Sequence, residues 1–309
     1  MDFNYEKKKI ALIGSGATAV SLLAPLAARA AEVTIVQRSP SYIAAFENRS
    51  RTCEHVPLFV VIACRRLYWI IMPCIFVLFC QCFPKAVRDM LQKKTVKLLP
   101  GWVEHDPHFK PRYNPWEQRL CFDPDGRFYG ALHRPNVKVV TGKIESITES
   151  GIQIQDSRTI EADVIVTATG LNMKLGGDID MRINGKTVPW SKRFIWNGSM
   201  VDGIPNMIFM LGYTNHSWTL GADNTAIILG RLWAYMARNG MRSAVPRVPQ
   251  EATEKPKRLW QLSATYVTLA EDKFPICGNA GLWKPRACPL LDYVRARWGD
   301  YTSGLRFSA

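Results

Sequence analysis

A short apolar run that empties into a glycine turn and then into an alanine-rich helical pattern constrains this chain more than any other feature. Lys9–Ile13 has the length of a buried strand. Gly14-Ser15-Gly16-Ala17-Thr18-Ala19 follows as a GxGxxA turn, helical spacing runs to about Ala30, and Val33–Gln37 is a second strand-length run. The spacing predicts a βαβ unit with the glycines at the strand-to-helix junction, where a dinucleotide fingerprint must sit. Gly14 permits the tight turn, Gly16 lets a pyrophosphate approach the backbone, and Ala19 lets helix and strand pack closely. The free N–H groups and positive dipole end of the helix then face phosphate.

The second strand selects the dinucleotide. An NAD site carries Asp or Glu at its end for the ribose 2′-OH. Here the strand ends Val36-Gln37-Arg38-Ser39 without a carboxylate. Arg38 offers a charge-assisted contact to a 2′-phosphate, so NADP(H) is predicted, with Arg38 and Ser39 as contacts. The competing reading makes Arg38 a solvated surface charge.

A chain of 309 residues holds one large or two ordinary domains, and 47% hydrophobic with 21% charged residues is a globular composition. The net charge of +14 is compatible with polyanionic cofactors or an anionic surface. The sequence carries no helix-turn-helix or RNA-binding signature, and its basic residues are scattered, so no nucleic-acid partner is expected. The eight cysteines form no paired C-x-x-C zinc pattern, which predicts reduced, buried thiols and no metal. The first ten residues are polar and charged, unlike a secretory signal.

Val56–Phe83 is strongly apolar, but Arg65 and Arg66 interrupt it. The uninterrupted Leu67–Cys80 contains Pro73 and reaches only about 21 Å as a helix, short of a bilayer core of roughly 30 Å. A buried or interfacial helical hairpin is predicted, followed by an exposed amphipathic helix over Lys85–Leu99. His105–Phe128 contains four prolines and reads as a loop, with Lys110, Arg112 and Arg119 among aromatics. His105 and His108 have no third metal ligand at a recognisable spacing.

Val137–Val140, Ile144–Thr148, Gly151–Gln155 and Thr159–Ala162 read as a meander. Asp163–Ala168 is a parallel-type strand ending in Thr169-Gly170, where a doubly wound sheet meets its ligand. Asn206–Leu211 is a further strand candidate, and Ala222–Ala237 is helical up to a stop at Arg238-Asn239-Gly240. His216 reads as an ordinary hydrogen-bonded histidine.

GSGATA with VTIVQRSP, HFKPRYNPWEQRLC, EADVIVTATGLN, NMIFMLGYTNHSWTL and PLLDYVRARWGDYTSGLRFS occur in one order. Together they resemble the class B flavin monooxygenases, the flavin-containing and Baeyer–Villiger enzymes, and within them the ethionamide-activating subgroup. The resemblance implies that Gly14, Ser15, Gly16, Ala17, Thr18 and Ala19 bind NADPH and that Arg38 binds its 2′-phosphate. It also implies that Arg119 is the active-site arginine and that Ala168, Thr169 and Gly170 are the family's ATG linker. It implies an enzyme with FAD and NADP as cofactors: NADPH reduces FAD, a C4a-peroxyflavin forms with O₂, and one oxygen passes to a small organic substrate. A fixed guanidinium beside an anionic oxygen would stabilise developing charge. The alternative for Arg119 is an ion pair with Glu117 or Asp123.

The family's earlier GxGxxG for FAD, and the Baeyer–Villiger F-x-G-x-x-x-H-x-x-x-W signature, are missing from this sequence. The expected fold is therefore α/β, a Rossmann-like NADP-binding βαβ unit inserted in a partial FAD/NAD(P)-binding doubly wound domain. Residues 1–130 would form the NADP-binding part with a helical insertion at 56–99, and 131–309 the remainder. An uncovered sheet edge would meet water or a partner chain. Three readings follow: an N-terminally truncated NADPH- and FAD-dependent monooxygenase, an inactive NADP(H)-binding remnant or partner subunit of a flavoprotein, and a membrane-surface protein built on Val56–Phe83. The expected location is cytoplasmic, with membrane association through that segment.

Overall fold

The computed structural model of the protein describes residues 3–48, 57–286 and 288–309, so Cys53 and Val56 lie outside the described residues. The chain divides into two compact units, Met1–Thr52 with Phe79–Leu171, and Cys53–Leu78 with Asn172–Ala309.

The first unit begins with β1 (Lys9–Ile13), α1 (Ala17–Ala27), β2 (Glu32–Gln37) and β3 (Ile43–Phe46). Helix α2 (Leu58–Cys82) is shared with the second unit, and α3 (Pro84–Leu98), α4 (His105–His108), β4 (Cys121–Pro124) and α5 (Arg127–Leu132) follow. The unit closes with β5 (Val137–Thr141), β6 (Ile144–Thr148), β7 (Gly151–Ile154), β8 (Thr159–Glu161) and β9 (Val164–Thr167).

Four of these strands form a parallel sheet in the order β5-β2-β1-β9, with Ile10 opposite both Val33 and Val164. Alternation along β1 explains why both faces are dry. Ile10 and Leu12 pack with Leu23, Leu26, Phe128 and Leu132 of α1 and α5, whereas Ala11 and Ile13 pack against Ile152, Ile154 and Ile160. A strand covered on both sides has to read as a continuous apolar run, and this one does. The chain leaves β1 toward β2 on one side and returns as β9 on the other, so the strand order reverses at β1. Crevices for ligands open at the carboxyl ends of strands at such a switch point.

The sheet corrects several expectations. Val137–Val140 is not the first strand of the meander: it pairs in parallel with β2, Val33 opposite Val137, and only β6, β7 and β8 form the antiparallel three-stranded sheet. A dry parallel strand and a short meander strand share one apolar pattern, so periodicity could not separate them. Because β5 and β9 complete the sheet, the compact unit runs to Leu171.

The stretch 105–128 is not wholly loop either. Its Cys121–Pro124 is a strand that pairs in parallel with β3, Ile43 opposite Cys121, and α5 starts at Arg127. The expected hairpin in Val56–Phe83 is instead one helix of 25 residues that carries Pro73 without breaking, and the chain turns only at Phe83-Pro84. Nor is that helix buried: among its large apolar residues only Ile70 and Val77 are enclosed. Helix α3 matches expectation, with Val87, Leu91 and Thr95 buried along one face.

The second unit centres on α6 (Trp218–Arg238), which buries Ile228 and Leu232 against Trp196, Trp283 and Ala296. The helix Pro289–Trp298 is fastened to α6 by Arg231, whose guanidinium donates to the carbonyls of Ala296 at 2.7 Å and Gly299 at 2.9 Å. Asn206–Leu211 is not a strand. The backbone lacks ladder partners there, and its apolar side chains, Ile208 and Phe209 among them, pack into three separate clusters.

Candidate dinucleotide-binding site

The turn after β1 is built from outside as well as from its own sequence. Gly14 has φ of +131°, a left-handed value, and donates its N–H to the Val36 carbonyl at 2.9 Å. A Cβ at this position would stand 2.9 Å from the carbonyl carbon of Ala168 and nearer still to its oxygen. Ala168 is itself fixed, donating its N–H to Ile13 O at 2.8 Å. Gly14 is therefore required by the fold. Gly16 is different: a Cβ there would meet nothing within 4 Å. The protein does not need that space, which leaves the helix mouth open to a ligand.

Gly16 is the N-cap of α1, and no side chain caps the helix. Orphan N–H groups at a helix start carry partial positive charge and take an anion. Ala19 is fully buried against the sheet, as close helix–strand packing demands. Beneath the turn a space of about 10 Å³ lies between Gly14, Ile35, Gln37, Phe109 and Phe128. It has room for no more than about one water, so any nucleotide lies over the mouth.

The end of β2 is tied to the same turn. Ser15 Oγ donates to Ser39 O at 2.7 Å and lies 3.3 Å from Ser41 Oγ. Arg38 thus stands between Val36 and Ser39, whose carbonyls both accept from the turn. Its neighbour Gln37 is buried and spent on structure, donating to His108 O at 2.7 Å and Thr141 Oγ1 at 3.0 Å. The Arg38 side chain is exposed and makes no hydrogen bond or ion pair among the described residues.

Arg119 lies two residues before β4, whose Cys121 N–H donates to Tyr42 O at 2.9 Å, next to Ser41. Chain connectivity thus links its loop to the glycine turn. Arg119 is exposed. Of the two carboxylates that the sequence offered it, Glu117 accepts from the Asn114 N–H at 2.9 Å, and Asp123 accepts from the N–H groups of Phe128 and Tyr129 at the start of α5. Thr169 and Gly170 follow β9 at the carboxyl edge beside β1, with Gly170 at φ +114° and open space around it. His105 and His108 do not converge on a metal: His108 Nδ1 bonds Thr141 Oγ1 at 2.8 Å. Among the described residues no three His, Cys, Asp or Glu groups cluster for one.

The second unit holds a polar network that periodicity did not reveal. Arg286 donates to Asn197 O, Leu211 O, Gly221 O and Thr225 Oγ1, all between 2.8 and 3.2 Å. Nearby, the Tyr213 hydroxyl donates to Asp292 Oδ2 at 2.7 Å and accepts from Asn224 Nδ2 at 3.1 Å. Burial pushes up both the Tyr213 phenol and the Asp292 carboxyl. No local pattern marks these residues, because their partners lie up to 89 positions away.

His216 is buried, its Nδ1 bonded to Asn215 Oδ1 at 2.8 Å and its Nε2 without a partner. Burial lowers its pKa to about 4. Between about 4 and 6.5 the unfolded chain binds a proton here that the native state refuses, so stability rises with pH in that window and is flat above it. Chemical denaturation from pH 6.5 down to 4 should show a loss of about 1–3 kcal/mol from this group. His216→Phe should flatten that part of the profile, and an unchanged slope would remove the assignment.

No protein-family model matches the chain. The FAD-containing monooxygenase EthA of Mycobacterium tuberculosis is 36% identical over 313 residues, which is 99% of this chain and 64% of that protein. The probable FAD-binding monooxygenase AlmA of an Acinetobacter species is 35% identical over 309 residues, 98% of this chain and 62% of that protein. The chain thus spans less than two thirds of the length of the curated relatives it matches. Among solved structures, OTEMO complexed with FAD and NADP superposes with a TM-score of 0.67 at 18% identity, covering 98% of this chain and 67% of that one. Cyclohexanone monooxygenase from Rhodococcus sp. Phi1 bound to NADP+ gives 0.67 at 18% identity, covering 100% and 68%. An open, uncapped helix mouth stands beside an arginine that makes no hydrogen bond or ion pair among the described residues, and over the part that it spans the chain is similar to FAD-containing monooxygenases.

Proposed function

We propose that this chain carries the NADPH-binding part of an NADPH- and FAD-dependent monooxygenase that inserts one oxygen atom of O₂ into a small organic substrate. The observation that carries the reading is Arg38, exposed and without a hydrogen bond or ion pair among the described residues, between two carbonyls that accept from the glycine turn. The backbone of Gly14–Ala19 would hold the NADP diphosphate, and Arg38 with Ser39 would hold the 2′-phosphate. Bound FAD would supply the hydride-accepting and O₂-activating chemistry. Thr169 and Gly170 give it an open approach beside β9, while the chain holds no second glycine turn of the fingerprint kind. Arg119 offers a cation to charge that develops during oxygen transfer. Residues 1–130 with the insertion at 56–99, and 131–309, serve as the NADP-binding and FAD-domain-like parts.

Strand β9 pairs with β1 on one side only, and a partner chain covering that edge belongs to the proposal. So does a cytoplasmic location with peripheral membrane contact through 56–83. The alternative function is an NADP(H)-binding remnant or partner subunit of a flavoprotein.

Assays of the purified chain with NADPH, with and without added FAD, distinguish the two: oxygenated product supports the enzyme, and NADPH binding without turnover supports the remnant. Arg38→Ala should raise the Kd for NADPH about 10–100-fold, the weight of one charge-assisted contact, and leave NADH within about twofold. Equal losses for both would sink the 2′-phosphate role. Arg119→Ala should cut product formation at least about a hundredfold without moving the NADPH Kd. Wild-type turnover in that variant would reject the role given to Arg119.

A further inference from the structure

Helix α2 has two unlike stripes. Arg66, Ile70, Cys74 and Val77 recur at helical spacing and face the protein. Arg66 pairs with Asp223 and sits 5.8 Å over the Tyr293 ring, Ile70 and Val77 are buried, and Cys74 Sγ lies 4.0 Å from Cys288 Sγ. Tyr68, Met72, Ile75 and Phe79 repeat at the same spacing half a turn away, and all four are exposed. Leu67, Trp69 and Leu78 flank them and are more than half exposed. Soluble monomers rarely leave so continuous an apolar face to water.

The charge on that face is cationic. Arg65 lies on it, one turn before Tyr68, exposed and without an ion pair among the described residues. The chain then adds exposed Lys85, Lys93, Lys94 and Lys97 on α3 against one carboxylate, Asp89. Tyr68 and Trp69, ring centroids 5.4 Å apart, are the aromatic types that settle at a headgroup boundary.

Length would let α2 cross a bilayer. Its 25 residues extend about 37 Å against a core of roughly 30 Å, and its mean hydropathy reaches 1.8. Crossing would tear the inner stripe from Asp223, Tyr293 and Cys288 and carry Arg65 and Arg66 into hydrocarbon. Lying in the plane of the surface preserves the inner contacts, covers the outer stripe, and lets Arg65 reach water or headgroups along its stem.

We propose that α2 is an in-plane anchor whose Tyr68–Met72–Ile75–Phe79 stripe enters the surface of an anionic phospholipid bilayer, which would deliver lipophilic substrates to the chain. This rests on the oxygenase reading for its purpose but not for its binding. The anchor is tested by sedimenting the protein with vesicles of phosphatidylcholine alone and of phosphatidylcholine with phosphatidylserine. Wild type should partition at least about tenfold better onto the phosphatidylserine vesicles and lose that advantage in high salt. Met72→Glu/Ile75→Glu should lose binding at least about tenfold while keeping its melting temperature and its Kd for NADPH. The Trp69 emission, isolated by difference from Trp69→Phe, should shift to the blue on vesicles.

Equal binding by the double variant, or no preference for phosphatidylserine, would overturn the proposal. Retention on vesicles after an alkaline carbonate wash would make α2 a span instead. A wild-type dimer that the double variant turns to monomer, with neither protein binding vesicles, would make the face an interface between two copies. Vesicle binding by a protein that takes up no NADPH would keep the anchor and sink the functional reading, so the two fail separately.

Discussion

Gly14→Val is expected to abolish NADPH binding and to destabilise the first unit by about 3–5 kcal/mol. Two costs add at one atom. The φ of +131° is one that a β-branched residue scarcely adopts, and the new Cβ would overlap the Ala168 carbonyl. That carbonyl cannot retreat cheaply, because Ala168 N–H is bonded to Ile13 O and β9 pairs with β1 from Ile10 to Ile13. Denaturant unfolding and a fluorescence titration with NADPH read both effects. Gly16→Ala is the control: its methyl meets no protein atom, so stability should fall by less than about 1 kcal/mol while NADPH binding weakens. A Gly14→Val protein as stable as wild type would show that the close approach to Ala168 is not real.

The second large effect belongs to the other unit. Arg286→Leu should cost about 3–5 kcal/mol, since it leaves three carbonyls and the Thr225 hydroxyl of a partly enclosed site without their donor. Burial depresses the guanidinium pKa, so this cation is held by its hydrogen bonds rather than by solvent. Lysine reaches with a single point charge and cannot satisfy acceptors spread over Asn197, Leu211, Gly221 and Thr225, so Arg286→Lys should recover less than half of the loss. Melting curves of the three proteins decide it, and a leucine variant within about 1 kcal/mol of wild type would demote the network to a surface feature.

The candidate site was legible to the degree that its parts were neighbours in the chain. The strand, the glycines, the helix and the missing carboxylate at Arg38 all lie within one βαβ unit, where periodicity and turn chemistry act locally. Arg119 could be named only by resemblance. Only the structure shows that the two carboxylates near it in sequence, Glu117 and Asp123, accept from backbone N–H groups. The misread stretches share one cause. Val137–Val140, Cys121–Pro124 and Asn206–Leu211 are short apolar or mixed runs whose state depends on which strand, if any, lies beside them.

The amino-acid order alone therefore determined the βαβ unit and the opening at Gly16. These depend on contacts between residues a few positions apart. Only the tertiary structure decided that β9 returns to β1 from more than 150 residues away and wedges Ala168 against Gly14. Only it decided that α2 turns its apolar stripe outward. Hydrophobicity says that a surface must be covered; which element covers it is settled when distant segments pack, and no periodicity records that choice.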